Sequence, residues 1–393
     1  MNKYLLDAKL AHLSEAEVDD LVSRYYKGEK MTPLLAEFNI QCRPQAFAGI
    51  LPFVLHGDQE CPNCGAQMGV RMYSKSSYRQ SENELECCHC EHKESPRCRC
   101  NCCQKLKKSE ELNRQQKQKD SIKKYTELFE CWSLKQKAEQ LTFRTAVSLL
   151  ALVRTGELKS DGSYGSISNN PIPFAPNGSM SEAMVALLMN DKLIGPSENS
   201  TQRAFTIEDG VITSLDINLV DWKLHCENPE LLISEIEDYG LNGNWSDCWS
   251  DEEVGDLRLE LALAECKEFY EYCLSERSFH YVDGPAINNL LLNLLRDYSV
   301  ANCYYFIWKG AQQASDYKIR MQVSSRHAAN YMSGASLRWA DKARSEGWEI
   351  KSFSRNYNLP RSMLSYVLYD VMLKIGEKGF TEPLSNLNAS PTK

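Results

Sequence analysis

The apolar and polar positions divide this chain into helically patterned stretches separated by polar or irregular ones. Near the start, Ser14-Glu-Ala-Glu17 is a capping-box sequence that predicts a helix to about Tyr26, closed by Gly28. Thr32-Pro33 predicts an N-cap with proline at the first helical position of a short helix over 34–38. Asn39-Ile40 then predicts a turn, and Arg43-Pro44 a third segment to about Leu51. Short helix, tight turn and helix is the order of a helix-turn-helix unit, and an ordinary three-helix bundle shares it. Leu141 to Arg154 is apolar around much of its circumference, which predicts a buried helix. Ser179 or Ser181 is expected to cap a helix through Leu193. Arg203–Ile207 and Val211–Trp222 alternate and predict strands joined by Glu208-Asp209-Gly210. A helix followed by a small hairpin predicts a winged-helix-like middle unit. Leu257–Arg277, Pro285–Tyr298 and Cys303–Ala314 predict an all-helical C-terminal domain, with a tail that frays after Phe380. The expected fold class is mainly α, multi-domain α+β.

Composition narrows the function classes. Of 393 residues, 42% are hydrophobic, enough for folded cores. The formal net charge of −8 excludes a uniformly basic nucleic-acid coat and leaves room for local basic faces. The first residues contain no apolar leader segment, and no run approaches a membrane span, so a cytoplasmic protein without a membrane partner is expected. Sixteen cysteines would suit a disulfide scaffold if they were evenly spread. They are not.

Between Cys61 and Cys103, 43 residues hold nine cysteines and two histidines. Cys61-Pro-Asn-Cys64 and Cys87-Cys-His-Cys90 are two CxxC pairs, each able to turn two sulfurs toward one point, with Gly65 favouring the tight turn after the first. Together they form a four-thiolate candidate, and the insert between them predicts a small hairpin. His92, Cys98, Cys100 and Cys103 form a second candidate, with Cys88 and Cys102 as rival ligands. One or two Zn2+ ions are expected. Zinc in a catalytic role keeps an open position, whereas the surplus of soft ligands here points to closed structural sites. Residues 58–93 resemble a zinc ribbon, which implies a metal-stabilised platform and no activity of its own.

Charge is distributed unevenly. From Lys93 to Lys124 there are eleven Lys/Arg against four Asp/Glu, a net of +7. His225–Glu265 carries twelve Asp/Glu and one Arg, a net of −11. Lys309–Arg361 carries ten Lys/Arg and four Asp/Glu, a net of +6, interleaved with aromatic residues. The segments Leu35–Ile50 and Phe353–Leu368 echo one another, each reading short helix, aromatic-Asn-aliphatic turn, arginine, apolar helix. These patterns make Arg43, Gln45, Arg97, Arg99, Lys105, Lys107, Lys108, Arg355, Arg361 and Ser362 the candidate nucleic-acid contacts. The expected divisions are 1–55 helical, 56–106 zinc-binding, 107–140 charged helical linker, 141–224 winged-helix-like, 225–256 acidic linker, 257–380 helical and 381–393 tail.

No phosphate-binding loop, dinucleotide fingerprint, HExxH or GxSxG occurs. Asp221-Trp-Lys223 is the one nuclease-like pair, and it lacks an acidic partner in sequence. The leading expectation is a zinc-stabilised nucleic-acid-binding protein, DNA ahead of RNA, of a regulatory, mobile-element or defence kind. An interaction scaffold using the acidic region and C-terminal helices is the alternative, and a metal-dependent nuclease the third reading.

Overall fold

The computed structural model describes residues 3–77, 84–130, 136–243, 249–280 and 284–387. The chain forms two compact units, Met1–Lys117 and Gln118–Lys393. The middle of the acidic stretch lies outside the described residues.

The first unit joins helices to a four-stranded antiparallel sheet. Helix α1, Glu15–Tyr26, begins with the expected capping box of Ser14 and Glu17. Helix α2, Met31–Glu37, starts three residues before the expected Leu34. Asn39 is left-handed with φ 52°, as a turn residue of its type tolerates. The third segment, Pro44–Ile50, is a 3-10 helix and not the α-helix the pattern suggested. Leu10, Leu21, Leu34, Ile40 and Phe47 make the core of this part. Strands β1 (Tyr4–Leu5), β2 (Phe53–Glu60), β3 (Gln67–Arg71) and β4 (Glu86–Cys87) pair in that order. The register Met68↔Cys87 closes the expected hairpin between the two CxxC pairs. Helix α3 runs from Asn101 to Glu130, and the division between the two units falls within it. It starts inside the cysteine cluster, six residues before the expected start of the charged helical linker at 107.

The second unit is built on two cores that share one helix. Helix α4 (Phe143–Thr155) is buried along nearly its whole length, as its apolar circumference predicted. Helix α5 (Gly178–Asn190) is capped by the Asn177 side chain, which accepts from the Met180 N–H; neither expected serine is the cap. Strands β5 (Ile194–Pro196), β6 (Phe205–Glu208), β7 (Val211–Leu215) and β8 (Trp222–Leu224) follow. The β6–β7 hairpin turns through Asp209 and Gly210, both at positive φ, as two-residue hairpin turns require. The pairing of β5 with β8, and the bridge from Tyr164 to Trp222, were not expected from the pattern.

The described residues of the stretch 225–256, expected as an acidic linker, include two helices. Helix α6 (Pro229–Asn242) buries Leu232 and Ile236 in the first core, and helix α7 (Asp251–Ser275) starts at the Ser250 cap. Glu265 apart, the acidic residues occupy the other faces of these helices, so charge masked the apolar stripe. Val254, Leu257 and Leu261 of α7 enter the first core; Ala262, Cys266, Phe269 and Cys273 enter the second. Helices α8 (Pro285–Leu295), α9 (Val300–Met321) and α10 (Ser325–Glu346) complete the second core. A Cβ on Gly310 of α9 would lie 2.0 Å from Ser336 Oγ and 2.8 Å from the Met332 carbonyl of α10, so glycine is required where these helices cross. The chain ends with α11 (Met363–Tyr366), the π-helical turn Val367–Met372 and α12 (Lys378–Thr381). Among the described residues no helix is long and apolar enough to cross a membrane.

Buried charge fastens this last part. Glu265 on α7 receives Arg355 Nη1 at 2.9 Å, and Arg361 pairs with Asp370 and, at 3.3 Å, with Glu377. One turn along α7, burial and then the neighbouring Glu265 carboxylate push Glu268 up to about 8, against the pull of Arg355. A raised carboxyl pKa means the folded state holds a proton that the unfolded state has lost. Stability therefore falls as pH rises from the ordinary glutamate range through about 8. Glu268→Gln is expected to raise the thermal midpoint at pH 8.5 and leave it unchanged at pH 4, read by circular dichroism melts across pH.

Candidate metal centre

Two CxxC loops end neighbouring segments of the first unit and are built alike. In the first, Gly65 N–H donates to the Cys61 carbonyl at 2.8 Å, and Gly65 is left-handed with φ 71°. In the second, Glu91 N–H donates to the Cys87 carbonyl at 3.1 Å, and Glu91 is left-handed with φ 57°. Each first cysteine also takes the same closing bond five residues on: Cys61 N–H to Ala66 O and Cys87 N–H to His92 O, both 2.7 Å. The two turns thus bring their sulfurs together. Sγ–Sγ separations are 3.6 Å for Cys61–Cys90, 3.5 Å for Cys64–Cys87 and 3.6 Å for Cys64–Cys90. A zinc–sulfur length of about 2.3 Å in a tetrahedron sets an edge of about 3.8 Å. A disulfide would hold its sulfurs at about 2.05 Å, so these are ligand spacings.

The second group comprises His92, Cys98, Cys100 and Cys103. His92 Nδ1 lies 3.1 Å from Cys103 Sγ and 3.9 Å from Cys100 Sγ. In each group all four ligand atoms lie within 4.8 Å of one another. The rivals Cys88 and Cys102 belong to neither group. Helix α3 opens against this group, and Cys103 N–H donates to Cys100 Sγ at 3.4 Å, which places the positive end of the helix on a sulfur of the group.

Backbone donors prepare both groups for metal. Burial raises the Cys87 thiol, yet the N–H groups of Cys90 and His89, together with the Cys64 and Cys90 side chains, outweigh it and bring the group to about 7. Burial likewise opposes ionisation of Cys98, and the N–H groups of Lys93 and Cys100, with the Cys100 and Cys103 side chains, carry it down to about 6. Cys103, burdened by burial and by its sulfur neighbours, is pushed up to about 11. Both groups have the donor set and spacing to hold a metal ion such as zinc, and four protein ligands apiece leave no open position for substrate.

Sequence reasoning missed Asn63. Lying between Cys61 and Cys64, it donates from Nδ2 to Cys103 Sγ at 3.6 Å, so the first loop supports a ligand of the second group. Glu91 carries strain that glycine would relieve, and its pairing with Arg71 is loose at 3.8 Å. Glu91→Gly is expected to stabilise the module by about 0.5–1 kcal/mol. The check is a higher chelator concentration for half-loss of metal.

Basic residues surround the second group. Arg97 and Arg99 flank Cys98 and line a groove of about 800 Å3 with Arg71 and Lys93. Arg71 is committed to Glu86 at 2.9 Å, and Lys93 lies 3.6 Å from Glu84. Lys107 Nζ donates to the Pro96 carbonyl at 3.0 Å. Arg97, Arg99, Lys105 and Lys108 are exposed and make no ion pair among the described residues. Arg43 and Gln45 are exposed at the start of the 3-10 helix.

The C-terminal candidates are placed differently. Arg355 and Arg361 are each only 18% exposed at the side chain and are taken up by Glu265, Asp370 and Glu377. Ser362 is buried and caps α11. No helix precedes the Asn356 turn, and Asn356 is not left-handed, so the echo of the N-terminal segment does not extend to structure. Asp221 is buried against Lys159 at 2.6 Å and accepts from Ser166 N–H at 3.0 Å. It forms a structural ion pair with Lys159, while Lys223 is exposed and lies 3.9 Å from Glu130.

No protein-family model, no curated protein and no solved structure matches the chain.

Proposed function

We propose that this is a metal-stabilised nucleic-acid-binding protein, DNA ahead of RNA, in which the metal module makes the phosphate contacts. The observation that carries this reading is the set of exposed, unpaired cations around the second ligand group: Arg97 and Arg99 at the groove, Lys105 and Lys108 on one face of α3. Residues committed to intramolecular carboxylates are poor phosphate ligands; these four are not committed. Zinc in this reading supports the backbone that aims them and takes no part in chemistry.

The helix-turn-helix-like N-terminal unit would add Arg43 and Gln45 at the entrance of its last turn. The winged-helix-like arrangement around α5 would contribute shape more than charge, because the exposed positions of α5, such as Ser179, Glu182, Ala183 and Asn190, include no Lys or Arg. The test is fluorescence anisotropy of labelled duplex and single-stranded DNA and RNA over a salt series. Binding that weakens linearly in log-log form supports the reading. Absence of binding, with a protein partner retained on the acidic region instead, supports the scaffold alternative.

A further inference from the structure

The second unit contains a separate basic cleft that the metal module does not explain. Positions 309, 312, 313 and 316 of α9 are spaced i, i+3, i+4 and i+7, so Lys309, Gln312, Gln313 and Asp316 share one helix face. The opposite face of α9, including Ile307, Ala311 and Ala314, is buried in the core. The polar face forms a cleft of about 410 Å3 with Arg277, just beyond α7, and Trp339 of α10. That volume falls in the range of small-molecule sites.

The cations in the cleft are held in place. Lys309 Nζ lies over three rings, 5.1 Å from Trp308, 5.5 Å from Trp339 and 5.8 Å from Tyr305. Such packing removes side-chain freedom and part of the hydration of the ammonium group without neutralising it. Arg277 is anchored by Nη1 donation to the Cys273 carbonyl at 3.0 Å. Neither cation, nor Asp316, makes an ion pair among the described residues. Two ordered cations therefore face one cleft against a single carboxylate, with the amides of Gln312 and Gln313 as further donors.

We infer that this cleft binds a small ligand through a phosphate group, held by Arg277 and Lys309. Arginine supplies a fork of donors to phosphate oxygens, and lysine a point charge. Asp316 at the rim favours ligands that also carry a hydroxyl or amine donor. The same phosphate chemistry could come from a free phosphate compound or from a nucleic-acid backbone. The small size of the cleft and the convergence of its two cations on one point favour the free compound.

The experiment is isothermal titration of the full chain with pyrophosphate as probe. One site per chain is expected. Lys309→Met and Arg277→Gln are each expected to weaken it by about 10- to 100-fold, as removal of one charge-assisted hydrogen bond would. Asp316→Asn is expected to tighten binding about threefold, a gain that a misfolded chain could not show. The variant lacking Arg97, Arg99, Lys105 and Lys108 is expected to bind pyrophosphate as the wild type does, which separates this site from the metal module. The inference is overturned if pyrophosphate gives no heat, or if binding is unchanged in both cation variants. It is also overturned if a 5′-hydroxyl oligonucleotide displaces pyrophosphate from the cleft, which would assign these cations to a polymer backbone.

Discussion

Cys87→Ser is expected to empty both metal sites and unfold the module around them. Cys87 is fully buried, pairs across β3–β4 and donates its own N–H to the His92 carbonyl, so it serves one group as ligand and positions a ligand of the other. Serine keeps the shape and loses the soft thiolate. Structural zinc contributes about 10–16 kcal/mol of apparent binding free energy in small modules, far more than the few buried apolar residues of this one can replace. The core here is little more than Cys61, Met68 and Cys87. Cys103→Ser makes the contrast. It removes a ligand of the second group and the acceptor of Asn63, while the first group keeps all four sulfurs. Native mass spectrometry is expected to show fewer than one bound ion for Cys87→Ser and one for Cys103→Ser. Limited proteolysis should cut the metal module of the first variant and spare the second unit of both.

Replacing Arg97, Arg99, Lys105 and Lys108 together by alanine is expected to abolish nucleic-acid binding at moderate salt. Each cation taken off a phosphate lowers the log-log salt slope by about 0.9 for duplex DNA, so four such cations account for a slope change of about 3–4. The fold should survive, because these side chains are exposed and unpaired. Arg355→Ala serves as the opposite control. It leaves Glu265 buried without its partner, which costs about 3–5 kcal/mol in such pairs, and is expected to lower the melting temperature without changing the salt slope. If Arg355→Ala removed binding while the fourfold variant retained it, the assignment of phosphate binding to the metal module would be wrong.

The metal groups were readable in sequence because thiolate and imidazole ligands declare themselves by type and spacing. The eight expected ligands are the eight that the structure groups. Local caps were readable for the same reason: Ser14 and Glu17 are three residues apart and satisfy each other. What sequence obscured was non-local. The partner of Arg355 lies 90 residues away on α7, so a paired arginine and a free one read alike. Helix α10 escaped notice because its buried face is mainly Ala328, Ala335, Ala340 and Ala343, small residues chosen for close approach to α9. Helix α6 was hidden by its acidic outer faces. Asn63 and the groove cations Arg71 and Lys93 became visible only once the sheet brought the loops together.

The number of metal ions bound per chain, counted by native mass spectrometry on protein purified without added chelator, is the most direct test of the two-site module. Two zinc ions are expected. A single ion, or cysteines recovered as disulfides with no metal, would contradict it.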